Sequence, residues 1–291
     1  MPSMPPFVEI QNTLLQEDCA VEFLLSKHIV TSCVKCSHCE RVVILDRHSL
    51  QFRHMCKGVR YKVSVWEGTF FSGARIGVAQ ILMMAYFWLC GVTRDAVMTI
   101  TGHSSHTVSD YYNHFCDLVT HDIRPSSCVI GGQGIIVEID ETKMGKRKYH
   151  RGHRVDGVWV VVGVERTIER KVFAVVVEDR SASTLEDIIS DYVAPGSIII
   201  TDGWGGYSRL SEFEEIEHLT VNHSVTFRDP VTGAHTNTVE GTNSALKRAV
   251  PVRNRTRESV GKHLMKFIWM RQHSDTLRDS FIEALCHVEY E

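Results

Sequence analysis

The sequence predicts a mixed α/β protein, and three features of its second half predict it. Apolar, β-branched runs follow one another at GIIVEIDETK, GVWVVVGVER and KVFAVVVED, the pattern of three consecutive antiparallel strands. Further apolar runs then alternate with helical patterns, which adds parallel strands to the same sheet. Two of the runs end on an aspartate, Asp140 and Asp202, and a third acid, Glu240, lies in the polar, helix-like stretch HTNTVEGTNSALKR.

Taken in order, residues 1–30 are acidic (Glu9, Glu17, Asp18 and Glu22 against Lys27) and carry the amphipathic run LLQEDCAVEFLLSKH, read as an N-terminal helical segment. Residues 31–73 read as short strands and turns around Cys33, Cys36 and Cys39, a zinc-ribbon-like module. Residues 74–124 read as helices at 78–90, 93–101 and 104–118. The short turn TGHSS fits a helix-turn-helix whose third helix reads the major groove, with Ser104 or Ser105 as its cap. Residues 134–275 hold the three strands already named. A helix then opens at Ser183-Thr184, a fourth strand follows at SIIITD, a short helix at 204–210 and a fifth strand at 218–222. Last comes a helix capped by Thr236 or Asn237 that carries Glu240, Leu246 and Lys247. Residues 276–291 read as a C-terminal tail. Three strands, helix, strand, helix, strand, helix is the order of a ribonuclease-H-like domain. There, a carboxylate of the first strand meets one that follows the fourth.

Composition narrows the class. The chain has 291 residues, 43% of them hydrophobic, and a net charge of −3, enough for a substantial core but no general sign of a polyanion binder. The most apolar run, VAQILMMAYFWLC, is too short to span a bilayer, and MPSMPPFVEIQ lacks the basic and apolar regions of a signal peptide. The expectation is a soluble intracellular protein without a membrane partner, nuclear if its source is eukaryotic. Nine cysteines, an odd number with three clustered, favour reduced thiols and a metal site over a disulfide framework. Cys36-Ser-His-Cys39 is a CxxC knuckle and Cys56 follows it, but Val59 stands where a second CxxC would end. Tetrahedral Zn²⁺ then needs a fourth ligand, His54 or Cys33, with His38 and His48 weaker options. The competing reading is a zinc-free module of the same small β fold.

The three acids suggest metal chemistry. Two divalent ions about 3.5–4 Å apart need several converging carboxylates on rigid elements, and hard Mg²⁺ prefers oxygen ligands. Glu138 and Glu141 flank Asp140. Strand alternation puts Glu138 on the face of Asp140 and Glu141 on the other, so Glu138 reads as a support for Asp140. His223, His235 and Asn237 read either as groups that orient a phosphate or move a proton, or as cap and strand-end residues. Lys143, Lys146, Arg147, Lys148, Arg151 and Arg154, with Tyr149, His150 and His153, form one basic segment. Lys247, Arg248, Arg253 and Arg255 belong to a second. Flanking the acids, both read as contacts to a DNA backbone, with a solvated loop and helix face as the plainer alternative.

IDETKMGKRKYHRGHRVDGVWVVVGVER, PGSIIITDGWGGY, HLTVNHSVTFRDPVTGAHTNTVEG and ALKR together resemble the catalytic domain of Merlin-superfamily DNA transposases and their bacterial insertion-sequence relatives, closely over residues 134–250. The 37 residues between Asp202 and Glu240 are similar to the last gap of D,D-35-E polynucleotidyl transferases. The resemblance implies that Asp140, Asp202 and Glu240 are a catalytic triad holding two Mg²⁺ or Mn²⁺ ions. It implies strand cleavage followed by attack of the freed 3′-hydroxyl on target DNA. It also implies double-stranded DNA partners (terminal inverted repeats and target) and a homo-oligomer that holds two DNA ends. Where the family commonly has Trp shortly after the glutamate, this chain has Asn243. Two other readings share these features: a non-catalytic DNA-binding derivative of a transposase, and a nuclease of the same fold.

Overall fold

The computed structural model describes residues 4–145, 157–210, 216–221, 235–288 and 290. The chain forms two units, Met1–Asp122 with His273–Glu291, and Ile123–Gln272.

The first unit begins with α1 (Phe7–Leu15) and α2 (Glu17–Ser26), separated by the extended backbone of Gln16. β1 (Cys33–Lys35), β2 (Val42–Asp46), β3 (Gln51–Cys56) and β4 (Val59–Ser64) then form an antiparallel sheet in sequence order. Its strands alternate: Val43, Leu45 and Phe52 are buried on one face, while Val42, Ile44 and Met55 are exposed on the other. α3 (Val78–Leu89), α4 (Arg94–Thr101) and α5 (Ser105–Asp122) follow. Thr93 caps α4 by accepting from the Ala96 amide. Gly102, at φ 71°, ends it in the left-handed region. Ser104 Oγ accepts from the Thr107 amide at 3.2 Å, one of the two hydroxyl caps foreseen for α5. α3 has no hydroxyl at its start. The Glu17 carboxylate instead reaches it across 61 residues of chain, accepting from the amides of Val78 (2.8 Å) and Ala79 (3.0 Å).

The second unit holds β5 (Ile130–Gly131), β6 (Ile136–Met144), β7 (Val158–Glu165), β8 (Val172–Val177), α6 (Ala182–Tyr192), β9 (Val193–Ala194), β10 (Ile198–Asp202), β11 (Glu217–Val221), α7 (Asn237–Ala249) and α8 (Val260–Gln272). Its main sheet runs β11-β10-β6-β7-β8. β6, β7 and β8 are the antiparallel meander, and β10 and β11 run parallel to β6. The fifth strand starts one residue earlier than foreseen, and a single 3₁₀ turn at Gly205–Tyr207 replaces the short helix. Helices cover both faces, so the strands read as nearly unbroken apolar runs. Val160, Val162 and Val164 pack with Val239 and Leu246 of α7 and Leu264 of α8. Val137, Ile139 and Phe173 pack with Leu185, Ile188 and Ile189 of α6 on the other face. Each such side chain contributes about 1.5–3 kcal/mol by leaving water.

The chain then returns to the first unit as α9 (Leu277–His287), so residues 276–291 are not merely a tail. Phe281 of α9 lies 6.0 Å from Trp88 and 5.7 Å from Phe115, ring centre to ring centre, inside that unit's aromatic core. No helix among the described residues is long and apolar enough to cross a membrane.

Candidate functional site

β6 and β10 lie side by side and parallel, with Ile200 opposite Glu138. The pairing ends there, and two residues further along each strand stand Asp202 and Asp140, near enough for the Asp202 charge to act on Asp140. Burial pushes the Asp140 carboxyl up to about 6, and the charges of Glu141, Asp202 and, more weakly, Glu240 act in the same direction. Both other expected acids thus lie near enough to act on Asp140. Asn243, one turn beyond Glu240 on α7, is buried, and its Nδ2 donates to Asp140 Oδ2 at 2.8 Å. The Asn243 Oδ1 is buried without a hydrogen-bond partner among the described residues. At the position where an aromatic ring was foreseen, this chain thus holds the first-strand aspartate with an amide.

Glu138 lies on the same face of β6 and is fully buried. Its Oε2 accepts from the amides of Thr238 (2.8 Å) and Val239 (2.9 Å) in the first turn of α7, and its Oε1 pairs with Arg166. This corrects the cap foreseen at Thr236 or Asn237. Thr236 occupies the N-cap position but makes no capping bond, and its hydroxyl donates to Glu240 Oε1 at 3.2 Å. Asn237 is exposed at the start of α7. The spacings agree. Residues 138 and 140 are about 6.6–6.8 Å apart along a strand. The amides of 238 and 239 lie four to five residues before Asn243, about 6–7.5 Å along a helix. Two residues of one strand therefore fix α7 in one register on β6, with Glu240 between their attachment points. His235 joins the same support: Arg166 donates to its carbonyl (2.5 Å) and to its Nδ1 (3.0 Å), which leaves the ring proton on Nε2.

Glu141, on the opposite face, accepts from the Tyr207 hydroxyl and lies 3.5 Å from Arg180. Burial raises its carboxyl above the usual range, and the Asp202 charge adds to this against the opposing pull of Tyr207 and Arg180. The Arg180 guanidinium lies over Trp159 (4.0 Å) and over Trp204 (4.6 Å), and the Trp204 amide donates to Asp202 Oδ1 at 3.0 Å. Sequence reasoning passed over Arg166, Arg180 and Tyr207. Their only signal is a polar or aromatic residue just outside an apolar run.

Of the basic residues, Lys143 Nζ lies 5.3 Å from the centre of the Trp159 ring, and Arg248 and Arg253 are exposed. Lys247 is half-buried on α7. The Arg255 guanidinium donates to the carbonyls of Lys247 and Val250 (3.0 Å to the latter) and so closes the C-terminal end of α7. Lys146, Arg147, Lys148, Arg151, Arg154 and His223 lie outside the described residues.

The cysteine cluster in the first unit is a second centre. The ligand atoms of Cys36, Cys39, His54 and Cys56 all lie within 4.8 Å of one another, with Cys39 Sγ 3.4 Å from His54 Nε2. Tetrahedral Zn²⁺ bonds of about 2.0–2.3 Å would set such atoms about 3.3–3.8 Å apart, so the donor set fits. Burial, with the sulfurs of Cys39 and Cys36 close by, pushes the Cys56 thiol up to about 11, while the His38 amide pulls the Cys36 thiol down. A cation relieves such crowding of sulfurs. Cys33, the alternative fourth ligand, is exposed on β1 and not in the group. Among the described residues no carboxylate group is drawn as close as this.

Residues 130–270, which include Asp140, Asp202 and Glu240, match the family described as ISXO2-like transposase domain. Over those residues the chain is similar to transposases of this family. No curated protein matches the chain. Transposases act on DNA, and their family implies a divalent metal. Burial and the nearby charges of Glu141, Asp202 and Glu240 raise the Asp140 carboxyl, and an oxygen-seeking dication bound there would offset both effects.

Proposed function

We propose that this transposase domain cuts and joins DNA strands by DDE chemistry, with Asp140, Asp202 and Glu240 as the triad of a ribonuclease-H-like sheet. The observation that carries the reading is that Asp140 and Asp202 each stand two residues beyond the paired Glu138 and Ile200 on adjacent parallel strands, with Glu240 on a helix bonded to the same strand. The strand order supports the fold: β8-β7-β6-β10-β11 places the first strand centrally and runs only β7 against the others.

The triad would hold two Mg²⁺ or Mn²⁺ ions, which when bound polarise the scissile phosphate and lower the pKa of the attacking water or 3′-hydroxyl. The chain's own residues prepare that site. Asp140 must be ionised to serve as a ligand, and Asn243 holds its Oδ2. Glu138 spends its lone pairs on Arg166 and the α7 amides, which makes it a support. His235 stands in that support beside Arg166, and Asn237 marks the exposed start of α7. Lys143, Lys247, Arg248 and Arg253, with the basic residues at 146–154, would contact DNA phosphates. α5 would enter the major groove as the second helix of a helix-turn-helix, and Zn²⁺ on Cys36, Cys39, His54 and Cys56 would fix the zinc-ribbon-like module. The partners are the terminal inverted repeats and a target duplex. Two ends held together require at least a dimer.

Asp140→Asn, Asp202→Asn and Glu240→Gln should each abolish Mg²⁺-dependent cleavage while leaving DNA binding intact. Wild-type cleavage by any one of them removes that residue from the triad.

A further inference from the structure

We infer that the exposed face of the β1–β4 sheet docks on the phosphate backbone of duplex DNA. The buried pair Leu45 and Phe52 sets the inner face, which also carries His54 and Cys56 of the metal group. The neighbouring positions turn outward. Arg53 lies directly opposite Lys62, and Met55 directly opposite Arg60. On β1 and β2 the outward pair Lys35 and Val42 stands beside Ile44. All of these are exposed, and the apolar ones strongly so: Val42 63%, Ile44 77% and Met55 65%. A cleft of about 390 Å³ is lined by Arg53, Met55, Arg60 and Lys62 together with His54.

Three observations choose an anionic partner. Four cations share this face with one acid, Asp46, at its end, and that carboxylate already accepts from the Ser49 hydroxyl (2.6 Å) and the His48 amide (3.1 Å). This happens in a chain whose net charge is −3, so the concentration of cations is local. Like charges directly opposite on antiparallel strands repel, yet Arg53 and Lys62 are so placed, with the Arg53 guanidinium resting on the neutral Gln51 amide. The β3–β4 turn adds a fifth cation. Lys57 sits at φ 47° beside Gly58 at φ 82°, in a two-residue turn whose first position normally favours Asn, Asp or Gly. A lysine there gives up backbone ease for charge at the hairpin tip. Regularly spaced cations around a low apolar ridge suit a phosphate backbone, with the ridge against sugar and groove edges.

The test is fluorescence anisotropy of the full chain with a labelled duplex of random sequence, across a KCl series in Mg²⁺-free buffer. No catalytic acid takes part, so the outcome is independent of the triad. Arg53→Gln/Lys62→Gln should weaken binding and lower the slope of log K against log salt by about 1.8, about 0.9 for each cation removed. Zinc content should stay the same, and Tm should hold or rise because the repulsion is gone. Arg53→Lys/Lys62→Arg should keep the wild-type slope. An unchanged slope and affinity in the Gln variant would overturn the proposal, as would an equal loss in the charge-keeping variant. Retained DNA binding with loss of binding to polyglutamate would assign the face to an acidic protein instead.

Discussion

Asp140→Asn is a mutation that should cost activity and add stability. In the metal-free protein the Asp140 carboxyl titrates near 6 instead of its ordinary 3.8, because it is buried and stands beside Glu141, Asp202 and Glu240. Below about pH 4 the group is protonated in folded and unfolded chains alike and has no effect on stability. Between about pH 4 and 6 the unfolded chain ionises first, so stability falls. Above about pH 6 the whole penalty stands. The gap between 3.8 and about 6, at about 1.4 kcal/mol per unit, amounts to about 3 kcal/mol. Asparagine is close to isosteric and can still accept from Asn243. Urea unfolding of Mg²⁺-free protein at pH 7.5 should therefore show Asp140→Asn more stable by up to about 3 kcal/mol, with the gain gone at pH 4. Added Mg²⁺ should stabilise the wild type and not the variant. A variant less stable than wild type at pH 7.5, or a gain that persists unchanged at pH 4, would refute the electrostatic reasoning.

Asn243→Leu removes the donor to Asp140 Oδ2, worth about 1–3 kcal/mol to a buried group. The acid limb of the pH–rate profile for cleavage should move up by about one unit, and an unmoved limb would deny Asn243 this role. Glu138→Ala leaves the Arg166 charge without its carboxylate and two α7 amides without an acceptor, and should cost about 3–5 kcal/mol in urea unfolding. Glu138→Gln, which keeps an acceptor for those amides, should cost less, and equal costs would mean that the α7 amides gain nothing from the residue. Metal analysis of purified protein should give about one equivalent of Zn²⁺, lost in Cys36→Ser, Cys39→Ser, His54→Ala and Cys56→Ser but kept in Cys33→Ser. Retention by the His54 variant would reassign the fourth ligand.

The legible parts of the sequence were those set by local pattern. β6, β7, β8 and β10 are β-branched runs long enough to read because helices bury both their faces. Asp140 and Asp202 stand out because each ends such a run. α9 was readable in retrospect: Leu277, Phe281, Ile282 and Leu285 recur at helical spacing, but the stretch carries few other signals. β5 and β9, two residues each, are too short to leave a pattern. The fourth metal ligand was open by spacing alone. Pairing favours His54 as the candidate, since His54 and Cys56 share the inner face of β3 whereas Cys33 turns outward on β1. Illegible were bonds across distance. Glu138 caps a helix a hundred residues away, and Asn243 reaches Asp140 across 103, so neither partner can be inferred from what stands beside it.

Strand transfer tests the central claim most directly. Purified protein, Mg²⁺ and DNA bearing the flanking terminal inverted repeats should yield covalently joined donor–target products. Asp140→Asn, Asp202→Asn and Glu240→Gln should bind the same DNA and join none. Joined products from any of the three variants would contradict the account, and cleavage without joining by the wild type would make the protein a nuclease instead.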